Sequence, residues 1–386
     1  MGIPWDRLGL TRFCSVHKGE ALLFIDGSPR PGIEPPVGVP LVVYDVSDLP
    51  PGREAYRLRL LARVLSPTLA GYRLRTVSAH YGISLREEVL PEAIGRLFAA
   101  LIEEALKLDR RIVAVLSRFL PPPLGDLFAR ILPLLIPPPG QEGAEPAVSG
   151  EKGPDRPLLS VDQALGPGGL VARNHSSYEF RSGQLDMARR VAARFAEGGG
   201  LVVEAGPGTG KTFAYLIPAI LHLLQDGTSR VVVSTRTKQL QEQLYREDLP
   251  FLTSLLAPGL KTALLKGRNN YLCLRRWETL VAELSGSLER DRLVLLSPLV
   301  RWMMETETGD IEENRAFFSE PGSRELWGRL FDSPNHCLEG FCPHSDECFS
   351  VRARRRARAA DLVVVNHSLL FADVAAGGAI LGGYTH

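Results

Sequence analysis

Apolar residues change their spacing several times along the chain, and each change marks an element. From Gly183 to Glu197, Leu185, Ala188, Val191 and Phe195 recur at helical spacing until Gly198-Gly-Gly halts them, which predicts one amphipathic helix. Leu201-Val-Val-Glu204 reads as a short buried strand feeding a glycine turn, with Phe213–Leu224 as the helix that follows. Arg230–Ser234 and Leu362–Val365 are two further strands, the first running into a polar helix through Gln239–Tyr245. Short β-rich runs alternating with helices predict a parallel α/β sheet. Earlier, Val39–Val46 alternates as a strand and Arg86–Leu108 as one or two amphipathic helices. Leu120–Ile136 is apolar but broken by prolines, so short helices are expected.

Periodicity disappears over Pro137–Pro157, which is rich in Pro, Gly and Glu. That places a domain over residues 1–136, a linker over 137–170 and a second region over 171–386. No repeat of fixed period is visible. The 386 residues are 45% hydrophobic and 23% charged, enough for a sizeable core and too apolar for global disorder. Lys and Arg number 45 against 44 Asp and Glu, a net charge of +1, so any surface for nucleic acid must be local. The N-terminus lacks a charged-then-apolar leader, and no apolar run reaches the roughly 18 residues of a membrane helix. A cytoplasmic protein with no membrane contact is expected.

Chemistry concentrates in the second region. Ala205-Gly-Pro-Gly-Thr-Gly-Lys-Thr212 sits between the predicted strand and helix, the context a Walker A loop requires. Gly206, Gly208 and Gly210 let backbone N–H groups turn inward around a phosphate, with Pro207 and Thr209 between them. Lys211 can reach the β- and γ-phosphates of ATP, Thr212 can ligate Mg2+, and the helix N-terminus adds positive potential. Upstream, Tyr178-Glu-Phe-Arg-Ser-Gly-Gln184 is either a solvated helix start or an aromatic–Arg–Gln group offering an amide to adenine.

Five cysteines are too few for a disulfide scaffold of this length; Cys14 stands alone, while Cys273, Cys337, Cys342 and Cys348 share one stretch. Four residues separate Cys337 from Cys342, and five separate Cys342 from Cys348. Paired two-residue zinc spacings are absent, so iron–sulfur ligation fits at least as well. Zinc with His336 or His344 and plain buried thiols stay open on spacing alone. Downstream, Arg352-Ala-Arg-Arg-Arg-Ala-Arg358 is either a solvated helix face or a phosphate-backbone contact through residues such as Arg354 and Arg355.

Taken in order, Tyr178–Gln184, Glu204–Thr212, Val231–Leu244, Lys266–Cys273 and Asp361–Leu370, with the cysteine spacings, resemble the iron–sulfur superfamily 2 DNA helicases. That family contains XPD and the bacterial DinG proteins, and the cysteine gaps resemble the DinG type; the likeness covers roughly Val171–His386. The resemblance implies a P-loop, RecA-like parallel sheet with an inserted iron–sulfur domain over about residues 266–350. It places Arg181 and Gln184 at adenine, and Ala205 through Thr212 at triphosphate and Mg2+. It puts Ser234, Thr235 and Gln241 in the motif that tracks the DNA backbone, and a [4Fe–4S] cluster on Cys273, Cys337, Cys342 and Cys348. It further implies 5′-to-3′ translocation on single-stranded or forked DNA by a monomer, coupled to ATP hydrolysis.

Two departures shape the expectation. The Asp-Glu-Ala-His motif would follow Gly382-Gly-Tyr-Thr-His386, and the second motor domain with its arginine finger is also missing from the chain. Without these the chain alone is expected to bind ATP weakly and hydrolyse it negligibly, as the N-terminal portion of a longer helicase. The rival reading is a non-catalytic nucleic-acid-binding protein with structural nucleotide and metal sites. Leu60 through Ile83 resembles the later half of a DnaQ-type exonuclease, whose chemistry requires four carboxylates around two metals. Here Glu87 and Glu92 stand where a His and an Asp are expected, and Asp26 is followed by Gly27 and Ser28 rather than by the second acid of an Asp-x-Glu pair. Asp45 alone survives as a candidate, so a smaller, degenerate and non-catalytic α/β domain is expected in front of the motor.

Overall fold

The computed structural model describes residues 2–17, 20–30, 38–49, 53–85, 90–135, 159–287 and 289–382. The linker at Pro137–Pro157, Glu87 and residues 383–386 lie outside them. The chain forms two compact units that interleave in sequence: residues 1–143 with 268–349, and residues 144–267 with 350–386.

The first unit opens with β1 (Arg12–His17), β2 (Glu20–Ile25), β3 (Ser28–Arg30), β4 (Leu41–Val43) and β5 (Ala55–Arg57). They form one sheet in the order β3-β2-β1-β4-β5, antiparallel across β1, β2 and β3 and parallel across β1, β4 and β5. Asp26 and Gly27 make the β2–β3 turn at φ 48° and 79°, a left-handed pair that matches the twist of the strands. Then come α1 (Leu58–Leu65), α2 (Leu74–His80), α3 (Leu90–Ala105), α4 (Arg110–Phe119) and α5 (Leu124–Ile131). Phe98 of α3 meets Phe13 edge-on at 5.1 Å, and Phe13 stacks on Phe24 at 4.8 Å, so helix and sheet close on an aromatic centre.

The second unit starts with α6 (Val161–Leu165), α7 (Leu170–Asn174), α8 (Ser182–Glu197) and α9 (Lys211–Gln225). β6 (Val231–Thr235), α10 (Lys238–Gln243), a π turn at Leu244–Asp248, α11 (Leu249–Leu256) and β7 (Thr262–Leu264) follow. The chain then returns to the first unit for α12 (Leu274–Ser285), α13 (Leu293–Glu305) and α14 (Ser323–Leu330). It re-enters the second through α15 (Phe349–Arg358), β8 (Leu362–Asn366) and α16 (His367–Ala375). The expected parallel α/β sheet is present, in the order β6-β8-β7. Leu362 through Val365 of the middle strand are fully buried, as a strand covered on both faces must be. Ala214, Ile217 and Leu221 of α9 pack in one core with Leu185 and Ala188 of α8 and Leu252 of α11.

One expected strand does not form. Leu201–Glu204 pairs with no strand among the described residues, and Val202 is 99% exposed. The run has β-branched residues, but propensity makes a strand only where a neighbour takes up its backbone N–H and C=O groups. No helix among the described residues is long and apolar enough to cross a membrane.

Candidate functional site

The loop Ala205–Thr212 leads directly into α9, so the first N–H groups of a 15-residue helix point toward it. Gly208 and Gly210 lie at φ 73° and 77°, and Gly210 is the residue from which α9 starts. A Cβ on Gly210 would come within 2.2 Å of Gln184 Nε2, so this turn admits only glycine. Lys211 is exposed and folds back over its own loop: Nζ donates to the carbonyls of Ala205 at 2.8 Å and Gly206 at 2.7 Å. An incoming phosphate would take over those bonds and add the charge they lack. Thr209 Oγ1 donates to the Gly206 carbonyl at 2.9 Å. Thr212 is hydrogen-bonded to Tyr215, whose hydroxyl pKa burial pushes up while Thr212 opposes the rise.

Gln184 and Arg181 meet this loop from behind. Gln184 is 5% exposed; its Nε2 donates to the Gly210 carbonyl at 2.8 Å, and its Oε1 accepts from the Tyr178 hydroxyl at 3.1 Å. Tyr178 lies equally close to the Leu165 carbonyl, at 3.0 Å, so its one proton is shared. Arg181 donates to the Gly208 carbonyl and pairs with Glu179 at 3.2 Å. Both residues singled out for adenine therefore brace the carbonyls of the phosphate loop.

At the carboxyl ends of the parallel strands, Ser234 of β6 and His367 after β8 hydrogen-bond at 2.7 Å, and His367 is exposed. His367 was not anticipated; it sits at the same strand edge as Ser234, a relation that only the β6–β8 pairing creates. Thr235 is 9% exposed and its hydroxyl donates to the Thr237 carbonyl at 3.2 Å. Gln241 departs from expectation. It is fully buried, with Nε2 donating to the Leu265 carbonyl at 3.1 Å and the Val364 carbonyl at 3.4 Å, so its amide ties α10 to β7 and β8 and not to the surface. Its neighbour Glu242 meets Lys266 Nζ at 2.5 Å, with the Lys266 side chain 1% exposed. Lys266 stood in a motif, but a lysine directly after a strand gives no local sign that it will be buried. On α15, Ala353 and Ala357 turn inward, Arg354 is half-buried and Arg355 exposed. The arginine run is thus the outer face of a helix, open to solvent or to phosphate.

The four clustered cysteines all belong to the first unit. Cys273 precedes α12, Cys337 and Cys342 each close a short 3-10 turn, and Cys348 precedes α15. Arg268 bonds Asp332 at 2.7 and 2.9 Å and also the Cys337 thiol, while the Glu339 N–H donates to Cys337 Sγ at 3.3 Å. Burial pushes the Cys273 thiol up, with Asp332 and Cys348 acting in the same direction, so a metal would have to displace its proton. His344 is occupied by Glu278 at 2.9 Å. The donor chemistry therefore fits a thiolate-bound metal group, and two of the thiols feel each other. Yet among the described residues no three His, Cys, Asp or Glu side chains converge closely enough to hold a metal ion.

The acids of the N-terminal region are dispersed. Asp45 pairs with Arg59 at 2.8 Å, Glu92 pairs with Arg96, and Asp26 forms the hairpin turn. The central strand β1, Arg-Phe-Cys-Ser-Val-His, carries no carboxylate, and Cys14 within it is fully buried.

Residues 186–281 match the DEAD/DEAH box helicase family. The chain is 40% identical over 208 residues to the ATP-dependent DNA helicase YoaA of Haemophilus influenzae, covering 54% of this chain and 31% of that protein. It is 42% identical over 219 residues to the ATP-dependent helicase DinG of Mycobacterium tuberculosis, covering 52% and 32%. Against the 3'-5' exonuclease DinG of Bacillus subtilis the identity is 37% over 196 residues, covering 51% and 20%. The chain thus spans about a third or less of the length of these relatives.

Proposed function

We propose that this chain is the nucleotide-binding, DNA-engaging part of a DinG-type ATP-dependent DNA helicase that travels 5′ to 3′ on single-stranded DNA. The observation that carries this reading is the phosphate loop at the start of α9, with Gly208 and Gly210 at positive φ and its carbonyls braced by Arg181 and Gln184. Lys211 would leave the carbonyls of Ala205 and Gly206 for the β- and γ-phosphates, Thr212 would take Mg2+, and the N-terminus of α9 would hold the remaining phosphate charge. Gln184 and Arg181, moored to the loop, would carry adenine contact and loop position together. Ser234, Thr235, Arg354 and Arg355 would meet the DNA backbone, with His367 beside Ser234. Lys211→Ala is expected to weaken binding of a fluorescent ATP analogue about 100-fold, roughly 2.7 kcal/mol, with the melting temperature unchanged. Equal affinity in the two proteins would overturn the assignment.

Cys273, Cys337, Cys342 and Cys348 would hold a [4Fe–4S] cluster, which when bound supplies a covalent cross-link between the start of α12 and the turns before α15. Anaerobic purification with iron and acid-labile sulfide assays is expected to give about four irons per chain, lost together in Cys342→Ser. One zinc without sulfide would replace the cluster by a zinc site and leave the phosphate loop standing. The N-terminal domain is read as a non-catalytic relative of DnaQ-type exonucleases, supported by its dispersed carboxylates. Mn2+-dependent nuclease activity that disappears in Asp45→Ala would overturn that reading.

A further inference from the structure

We propose that the N-terminal domain is the brace of the cysteine-bearing segment: the two share one body, and α1 and α4 supply the surface on which α13 and the turn after it are built. The functional half of this proposal rests on reading the N-terminal domain as non-catalytic; the structural half stands by itself.

Residues 1–143 and 268–349 belong to one compact unit although the whole phosphate-loop region lies between them in sequence. The join is specific. Arg63 of α1 is 4% exposed, donates to the Ala316 carbonyl through Nε at 3.3 Å and Nη2 at 2.9 Å, and pairs with Glu320 at 2.7 Å. The Ala316 N–H donates to the Pro67 carbonyl at 3.0 Å, a main-chain link between the two segments. From the other side, Arg301 of α13 donates to the Leu65 carbonyl and pairs with Glu104 at 2.9 Å. A buried guanidinium is tolerated only where carbonyls and a carboxylate receive it, so this contact has one geometry and no substitute in water.

The apolar side of the join explains why it exists. Leu293, Leu296, Leu299, Val300 and Trp302 of α13 are all buried, more than one stripe of the helix. Helices α1 and α4 lie against α13 and cover part of that apolar surface. Phe119 at the end of α4 packs on Trp277 of α12, with ring centres 6.1 Å apart. That helix starts from Cys273, so the position of one thiol is tied to an N-terminal helix. On the reading of the N-terminal domain as non-catalytic, its task is to hold the segment that carries the thiols.

The test is hydrogen exchange read by mass spectrometry on the full chain in three forms: wild type, Arg63→Glu, and Arg63→Glu with Glu320→Arg. In the single variant, exchange is expected to rise about tenfold or more in residues 58–65 and 293–320 together, while residues 185–225 stay protected. The charge-swapped pair is expected to recover protection in both segments. Loss confined to residues 58–65 would overturn the proposal, because the segment would then stand without its brace. Failure of the swapped pair to restore the two segments jointly would overturn it as well, since the single variant would then have acted by general unfolding.

Discussion

Gly210→Val is expected to abolish nucleotide binding and to lower thermal stability at the same time, which separates it from Lys211→Ala. The substituted residue would have to hold φ near 77°, where a side chain costs about 1–2 kcal/mol and a β-branched one more. Its Cβ would stand 2.2 Å from Gln184 Nε2 and 2.8 Å from Gln184 Cδ. Gln184 cannot step aside freely, because it is 5% exposed and bonded to both Tyr178 and the Gly210 carbonyl. Pushing it away leaves that carbonyl unpaired and reorients the N–H groups that would receive phosphate. We expect ATP affinity to fall below detection, more than about 100-fold, and the melting temperature to drop by roughly 4 °C or more. Calorimetric titration with ATP and a thermal melt on the same sample check both. Near-normal affinity would mean that phosphate is not bound by this turn.

How much of this was legible depended on whether the signal was local. The phosphate loop could be read because its glycine spacing encodes backbone dihedral angles directly, and those angles appear at Gly208 and Gly210. Strands β6 and β8 could be read because a β-branched run buried on both faces looks the same in any parallel sheet. The β2–β3 hairpin carried a local sign in Asp26-Gly27, a pair suited to a tight turn with both central residues at positive φ. Leu201–Glu204 failed in the opposite sense: its composition favours a strand, but no strand among the described residues pairs with it. Gln241 sits in a polar helix that looks solvated, and only the carbonyls of Leu265 and Val364, brought there by β7 and β8, turn it inward. The union of residues 1–143 with 268–349 has no local signature either, because Arg63 and Ala316 are ordinary residues until the fold brings them together.

Glu242→Gln is expected to be the most destabilising conservative change in the second unit. Glu242 faces Lys266 at 2.5 Å and Arg246 at 2.5 Å, and the two cations are not equivalent. The Arg246 side chain is 55% exposed, so its pair is worth less than about 1 kcal/mol. Lys266 is 1% exposed, and a buried ammonium that loses the carboxylate facing it costs about 3–5 kcal/mol, a large share of an ordinary domain's net stability. Arg246 Nε donates to Glu242 as well, a bond that a glutamine carbonyl can keep, so what the substitution removes is the charge facing Lys266. Burial alone would raise the Glu242 carboxyl, but Lys266 and Arg246 outweigh it and hold the pKa below its ordinary value. A carboxyl depressed in the fold adds stability that is fully present above its unfolded pKa of about 4.3 and fades as pH falls through the lower folded value. The gap between wild type and Glu242→Gln should therefore be widest near neutral pH and narrow steadily as pH falls below about 4.3 in urea melts. Adding Lys266→Met to Glu242→Gln should recover much of the loss, because an apolar side chain of similar length needs no counter-charge. Equal destabilisation in the single and double variants would instead place the cost in packing at the ends of α10 and β7.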